Sequence, residues 1–203
     1  MSKVLHLIGN GDNATMYKQG TKGIKLTCNL PPFPVEGAWA TCMVDFKMMK
    51  AINEGSVDVP GNWVCGFRPK KWCEMKPEFY MKHASKIRTF YLTKPDYVKN
   101  YTDFNCGHFA AHYGATTFKP DEIHMYGFDS LFDMNLRSCT DFYLNSDRGA
   151  PNNVRLNDNW RPIWKGIFEE FADTQFVLYH KHDKIKFKVP ENVEIRTKTS
   201  VQA

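Results

Sequence analysis

The chain has 203 residues, of which 42% are hydrophobic and 24% are charged, and its formal net charge is +5. This length suits one globular domain with a sizeable core, and the composition excludes the disordered and fibrous classes. The sequence contains no run of roughly 18 apolar residues, as a membrane-spanning helix requires, and its apolar start is too short for a signal peptide. We therefore expect a cytoplasmic protein.

Short apolar runs predict seven strands, and segments with helical spacing lie between them. The predicted strands are 4–8, 24–28, 38–44, 63–66, 87–92, 122–126 and 176–179, and the predicted helices are 46–53, 69–84, 106–118 and 160–171. Continuous apolar runs are typical of parallel strands that are buried on both faces. The alternation predicts an α/β fold, a single Rossmann-like domain with a mostly parallel sheet flanked by helices.

The chain shows no internal repeat and no clear linker between domains. Residues 1–190 are predicted to form a nucleotide-binding α/β domain, and residues 191–203 a C-terminal tail. The polar stretch 145–159 is predicted to be a long loop, of the kind that often closes over a substrate. The lysine-rich segment 181–188 gives weak support to a nucleic-acid partner, since a solvated surface strand is the commoner explanation.

Six cysteines are scattered along the chain without a Cys-x-x-Cys pair: Cys28, Cys42, Cys65, Cys73, Cys106 and Cys139. The placement of several of them in apolar runs favours reduced thiols that pack as small hydrophobic groups. A structural zinc site is not predicted.

A glycine-rich turn follows the first strand directly. Gly9-x-Gly11-x-x-Ala14 has the placement that phosphate-binding turns require, because glycines let backbone amides approach a phosphate. Asn10 and Asp12 add short polar side chains to this turn, and residues at its end could cap a following helix. The alternative is a plain turn without a ligand.

The residue at the end of the second strand indicates which kind of nucleotide the site could bind. NAD-binding Rossmann folds place an acidic residue about 20 positions beyond the glycines. Here the second strand ends in Asn29, whose amide both donates and accepts hydrogen bonds. The sequence therefore argues against a dinucleotide dehydrogenase and favours another nucleotide that Asn29 helps to recognise.

Polar residues also mark other predicted strand and helix ends. Asp45 follows the third strand and could either face the site or cap the next helix. Gly107 and His108 open the helix at 106–118, where an anion would find free donors, and Asp129 follows the strand at 122–126. His108 is a candidate acid or base. His112, one turn later, could join it in holding a metal, although packing explains His112 more simply.

These motifs, in this order, resemble the nucleotide site of bacterial sialyltransferases of the GT-A-like kind that use CMP-sialic acid. The resemblance rests on Leu7-Ile8-Gly9-Asn10-Gly11, Cys28-Asn29, Asn105-Cys106-Gly107-His108 and Tyr126-Gly127-Phe128-Asp129. A similar layout occurs in a broader group of uncharacterised Rossmann-like proteins of bacteria and phages, which includes archaeal hydroxymethylpterin pyrophosphokinases.

The resemblance implies roles for individual residues. It implies that Asn10, Gly11 and Asn29 contact the nucleotide, that Gly107 and His108 lie near its base or ribose, that Asp129 lies near the reaction centre, and that Tyr143 contacts the phosphate. Residue chemistry adds Gly9 and Asp12 to the predicted nucleotide contacts, His108 and Asp129 as candidate catalytic residues, and Arg137 and Arg155 as candidate phosphate contacts. Two departures stand out. The loop that carries a general-base histidine in the sialyltransferases contains none here, and Asp12-Asn13 replaces Pro-Ser.

Three functions are compatible with these features. The first is a nucleotide-dependent transferase, most directly a glycosyltransferase with a nucleotide-sugar donor, an unknown acceptor and no metal. The second is ATP-dependent pyrophosphoryl transfer, which needs Mg²⁺ held by carboxylates such as Asp45 and Asp129. The third is a non-enzymatic nucleotide-binding or interaction protein, with a phage origin in view.

Overall fold

The computed structural model describes residues 1–131, 152–181 and 188–197. These residues form eight strands and five helices. The strands are β1 (Val4–Ile8), β2 (Ile24–Cys28), β3 (Ala40–Met43), β4 (Trp63–Cys65), β5 (Ile87–Phe90), β6 (Glu122–Tyr126), β7 (Gln175–His180) and β8 (Val193–Thr197). The helices are α1 (Phe46–Asn53), α2 (Phe67–Met75), α3 (Pro77–His83), α4 (Cys106–Phe118) and α5 (Asn152–Glu170).

All eight strands belong to one sheet in the order β5-β4-β3-β2-β1-β6-β7-β8. Every neighbouring pair of these strands is parallel. The chain starts at β1, builds outward to β5, and then crosses back to place β6 on the other side of β1. The predicted α/β Rossmann-like fold is therefore confirmed, and the sheet is parallel throughout its described strands.

Successive residues of each strand point to opposite faces of the sheet, and helices cover both faces. On one face, Leu5 and Leu7 pack with Ala110 of α4 and Ile167 of α5. On the other face, a cluster around Trp63 joins β3 and β4 to α1, α2 and α3. The core thus has a layer on each side of the sheet, which is why the central strands read as continuous apolar runs.

Several predicted boundaries differ from the observed ones. The helix predicted over 69–84 is two helices, because Pro77 disfavours helical geometry at Lys76, where φ is −129° and ψ is 77°. The loop predicted over 145–159 is wrong from residue 152 onward, where α5 begins. The tail predicted over 191–203 is wrong for residues 193–197, which form β8 and pair with β7 along five residues.

Within the described ranges, no helix has the length and apolarity that crossing a membrane requires.

Candidate functional site

The crossover makes the carboxyl ends of β1 and β6 the topological switch point of the sheet. In open α/β sheets, ligands bind at such a topological switch point, outside the carboxyl ends of the strands. Polar residues follow the strands around this point: Asn10 follows β1, Asn29 follows β2, Asp45 follows β3 and Asp129 follows β6. The fold thus gathers several of the predicted site residues at one edge of the sheet.

The turn after β1 is hydrogen-bonded to the segment after β6. The Gly9 amide donates to the Tyr126 carbonyl at 2.6 Å, and the Gly11 amide donates to the Gly127 carbonyl at 2.8 Å. The chain then enters a five-residue 3-10 helix, Asp12–Met16, instead of the full helix expected from the sequence. The backbone donors of this turn therefore face the protein's own β6 segment.

Asp129 completes this contact. Its carboxylate accepts from the Asn13 amide, at 3.1 Å to Oδ1 and 3.3 Å to Oδ2. The carboxylate thus lies where the sequence analysis expected the phosphate of a ligand. An anion at the start of a 3-10 helix is favoured for the same reason as a phosphate, since unpaired amides point toward it.

The glycines of the turn are explained by this close packing. A Cβ on Gly11 would lie 2.4 Å from the Asp129 Cγ, and a Cβ on Gly9 would lie 2.8 Å from the Gly127 carbonyl oxygen. Gly11 has φ of −78°, which any residue adopts, so its requirement for glycine comes from space and not from backbone conformation.

Burial affects the acid–base properties of Asp129. The residue is 5% exposed, and loss of solvation raises the pKa of its carboxyl, although hydrogen bonds from the Asn13 and Asp12 backbone oppose this shift. With its oxygens facing the turn, Asp129 has a structural role here, and the geometry gives no support to its predicted catalytic role.

Asn13 and Asp12 connect the turn to the end of β7 by hydrogen bonds and an ion pair. The Asn13 Nδ2 lies 2.9 Å from the His180 Nδ1, and the Asn13 Oδ1 accepts from the Lys181 amide at 2.8 Å. The exposed carboxylate of Asp12 pairs with the Lys181 Nζ at 3.1 Å. Asp12, a predicted nucleotide contact, is thus in contact with a lysine of the β7 end.

Asn10 and Asn29 differ from Asp12 and Asn13, whose side chains have polar partners. Each has a buried side-chain oxygen that has no hydrogen-bond partner among the residues that the structure describes. Ile8 of β1 pairs with Thr27 of β2. Asn10 and Asn29 each lie two residues beyond this pair, just after the ends of the two strands. Asn29 also adopts φ of +50°, a left-handed conformation that asparagine tolerates better than most residues. Two buried acceptors that lack donors in the described part of the chain therefore lie at neighbouring strand ends.

His108 is the third residue of an N-terminal capping box on α4. The Asn105 side chain accepts from the His108 amide at 2.9 Å, and the His108 Nδ1 accepts from the Asn105 amide at 3.1 Å. The His108 ring is fully buried, parallel to Phe104 and 4.8 Å from the Trp164 ring. This position serves helix capping and packing, and gives no support to the predicted catalytic role.

Gly107 also has a packing explanation. A Cβ at this position would lie 2.8 Å from the Phe128 ring, so the glycine lets Phe128 cover the first turn of α4.

A second group of polar and aromatic residues lies at the ends of β3, β4 and β5. The Asp45 carboxylate pairs with the Arg68 guanidinium at 3.0 Å. A small open cleft, with about 10 Å³ of space for a water-sized molecule, adjoins this pair and is lined by Val44, Gly66, Phe67, Arg68, Tyr91, Thr93, Tyr101, Phe104 and Phe109. Phe67 and Tyr101 stack in it with ring centroids 4.8 Å apart.

A hydrogen-bond network around the buried His112, which no sequence pattern indicated, lies beside this cleft. The Tyr91 hydroxyl lies 2.8 Å from the His112 Nδ1, and the His112 Nε2 lies 3.1 and 3.0 Å from the two carboxylate oxygens of Glu170. The Tyr97 hydroxyl donates to the same carboxylate at 2.8 Å. A polar His112 on the apolar stripe of α4 was the available signal, but its partners come from distant parts of the chain.

Three predicted phosphate contacts are not placed at the site. Arg137 and Tyr143 lie outside the described residues. Arg155 belongs to α5, not to a loop. In the described ranges, no three of the histidine, cysteine, aspartate and glutamate side chains cluster as metal ligands.

Comparisons of the chain with protein-family models, with curated proteins and with solved structures gave no match.

Proposed function

We propose that the protein is a nucleotide-dependent transferase that binds its donor at the carboxyl ends of β1 and β2, beside the switch point. One observation carries this proposal: Asn10 and Asn29 each keep a buried amide oxygen without a partner in the described chain, at adjacent strand ends. A buried acceptor without a donor costs about 1–3 kcal/mol. A ligand that supplies the donors recovers this free energy.

The two oxygens favour a ligand group that carries O–H or N–H donors. A nucleoside offers both, as ribose hydroxyls and as the exocyclic amine of a base. The strained backbone of Asn29 supports the same interpretation, since residues held at positive φ concentrate at binding sites. The phosphate of the donor then binds away from the β1 turn, because Asp129 already occupies the amides there. Arg137, Tyr143 and Arg155 remain the proposed phosphate contacts.

Glycosyl transfer from a nucleotide sugar is our preferred chemistry, in line with the resemblance of the β1, β2 and β6 motifs to sialyltransferases. Pyrophosphoryl transfer is less favoured, because it needs carboxylates that are open to Mg²⁺. Asp45 is paired with Arg68, and Asp129 accepts hydrogen bonds from the turn.

Calorimetry with the four nucleoside monophosphates and with CMP- and UDP-linked sugars tests the proposal. We expect at least one of them to bind, and Asn29→Gly to weaken that binding about tenfold, which corresponds to about 1.4 kcal/mol for one lost hydrogen bond. Glycine tolerates the positive φ at this position, so the variant removes the amide without adding backbone strain.

Lys119→Gly is the matched control. Lys119 also has a positive φ, of 47°, but it ends α4 at the opposite edge of the sheet. The control should bind the nucleotide as the wild type does. The absence of binding to the whole panel would refute the proposal, and binding without turnover of any donor would reduce it to a nucleotide-binding protein.

A further inference from the structure

Helices α2 and α3 each have one buried side and one exposed side. On α2, Pro69 and Cys73 are one helical turn apart and are both buried. Phe79 and His83 are buried in the same way on α3. Cys73 and Phe79 pack in one cluster with Trp63 of β4. The opposite sides of the two helices therefore point away from the same layer of the core.

Two methionines protrude from these outer sides. Met75, the last residue of α2, is 63% exposed, and Met81 of α3 is 79% exposed. Met81 lies two residues from both Phe79 and His83, which places it on the side of α3 opposite to them. The outer side of a surface helix is normally polar. Contact with an apolar partner would therefore remove from water a methyl thioether side chain on each helix.

The same stretch of the chain is rich in lysine. Residues 70–86 contain five lysines against two glutamates, and Glu74 is already paired with Lys70 at 2.6 Å and with Lys71 at 3.6 Å. Loss of solvation lowers the pKa of His83, and the nearby charges of Lys86 and Lys82 lower it further. The positive charge is therefore concentrated around α2 and α3, which favours an anionic partner.

The aromatic rings of α2 distinguish between two anionic partners. The Lys71 Nζ lies 5.5 Å from the centroid of the Phe67 ring, and the Lys76 Nζ lies 5.1 Å from that of Trp72. Lysines therefore cover ring faces on which the bases of a nucleic acid would stack. Tyr80, which is 43% exposed, is of a residue type that is enriched where a membrane meets water. Protruding apolar side chains among lysines are typical of proteins that bind between lipid headgroups and acyl chains.

We propose that the outer side of α2 and α3 binds the surface of a membrane that contains anionic lipids. This lysine–methionine surface consists of Lys71, Met75, Lys76, Tyr80, Met81 and Lys82, all of which are exposed. The two methionines enter the boundary between headgroups and acyl chains, and the lysine ammonium groups stay among the anionic headgroups. This binding does not depend on the proposed nucleotide site.

Sedimentation of the full chain with lipid vesicles tests the proposal. One preparation is phosphatidylcholine alone, and the other contains phosphatidylserine as about one third of its lipid. We expect the protein to bind the mixed vesicles at low salt at least about tenfold more tightly than the neutral ones. Added salt should release it, because salt screens the attraction between lysines and headgroups.

Two pairs of substitutions separate the apolar contribution from the charged one. Met75→Ser with Met81→Ser should weaken binding to the mixed vesicles at least about tenfold, because less apolar surface leaves water. Lys76→Gln with Lys82→Gln should weaken it about 25-fold, since each lysine near an anionic surface contributes roughly fivefold. All four positions are exposed, so circular dichroism should show that both variants are folded.

Lys99→Gln with Lys165→Gln is the matched control for charge. It lowers the net charge by the same amount, and both lysines are exposed. Lys165 belongs to α5, and Val98, next to Lys99, packs in the core under α4 and α5, on the opposite face of the sheet. We expect this variant to bind the vesicles as the wild type does. Asn29→Gly should do so too, so the nucleotide site and the lysine–methionine surface can fail separately.

The absence of binding to the mixed vesicles at low salt would overturn the inference. So would binding that the methionine substitutions leave undiminished, or a loss in the control pair as large as that in Lys76→Gln with Lys82→Gln. A single-stranded oligonucleotide is the third probe. If it binds, and if the lysine pair but not the methionine pair weakens that binding while the vesicles are not bound, the surface belongs to nucleic acid and the inference is wrong.

Discussion

The carboxylate of Asp129 lies against the turn after β1, where it accepts hydrogen bonds from the Asn13 amide. Gly11 has no Cβ because the Asp129 carboxyl occupies that space. A single acidic side chain thus accounts for the position of the turn and for one of its glycines. It also replaces the external phosphate that a glycine-rich turn would otherwise suggest.

The stability of the protein should depend on the protonation of Asp129. Burial raises the pKa of this carboxyl, so the folded state binds its proton more tightly than the unfolded state does. The resulting stabilisation is fully present below the unfolded pKa of about 3.9 and is lost as the pH rises through the folded pKa. The amide of an Asp129→Asn variant does not titrate, so we expect the stability of the wild type relative to this variant to fall as the pH rises from acid to neutral.

Urea unfolding of both proteins across that pH range measures the difference. Asp12→Asn, which changes the exposed carboxylate of the same turn, is the control. A wild-type advantage over Asp129→Asn that grows with pH would contradict the prediction, since it would show that hydrogen bonding outweighs burial at this carboxyl.

The sequence predicts these residues better than it predicts their roles. Gly9, Gly11, Asn29 and Asp129 were placed at the correct strand ends, because apolar runs reveal strands and a parallel sheet aligns their ends. That Asp129 fills the turn depends on a contact between residues 116 positions apart, which leaves no local pattern. The capping role of His108 was predictable from the sequence, because Asn105 and His108 have the spacing of a capping box.

At the scale of elements, a side chain from outside α5 binds the backbone carbonyls at its end. The Asn192 Nδ2 lies 3.0, 3.2 and 3.1 Å from the carbonyl oxygens of Phe168, Phe171 and Thr174, and its two N–H groups donate among these three acceptors. Helices leave their last carbonyls without intrahelical donors, so a side-chain amide here satisfies groups that would otherwise be unpaired. The start of β8 is thereby attached to α5.

Asn192→Ala should destabilise the protein by about 1–3 kcal/mol, because it leaves partly buried carbonyls without a donor. Glu191→Ala, at an exposed neighbouring position, should change the free energy of unfolding by less than about 0.5 kcal/mol. Chemical denaturation of the two variants compares them directly. Equal effects would show that Asn192 does not cap α5.

Two of the three wrongly predicted elements carried local sequence signals. The break between α2 and α3 follows from Pro77, which restricts Lys76. In β8, the buried Val193 and the exposed Glu194 begin an alternation typical of a strand at a sheet edge. That strand was missed because it is short and polar. The start of α5 at Asn152 was hidden by a polar, turn-like composition.

At the scale of the whole molecule, the reactivity of buried thiols shows whether the protein unfolds as one cooperative unit. Cys42, Cys65 and Cys106 lie in β3, in β4 and at the start of α4, and each is less than 7% exposed. Burial raises the pKa of all three thiols, which suppresses the reactive thiolate. A reagent therefore reaches them only when the surrounding structure opens.

If the sheet and its helices unfold as one unit, all three thiols should react with iodoacetamide at one slow rate, set by global opening. Mass spectrometry after timed labelling gives the three rates, and the urea-unfolded protein provides the unprotected reference. Faster labelling of Cys65 than of the other two would show that the β4–β5 edge opens independently.

The crossover from β5 back to β6 also has a consequence for synthesis on the ribosome. The two sides of the switch point are synthesised far apart in time, because Asn13 must wait for Asp129, 116 residues later in the chain. Strands β1 to β5 can pair with their sequence neighbours as they emerge, whereas β1 stays an open edge until β6 arrives. Closing such a long loop is slow. During translation the exposed flank of β1 is therefore the surface most in need of protection from aggregation.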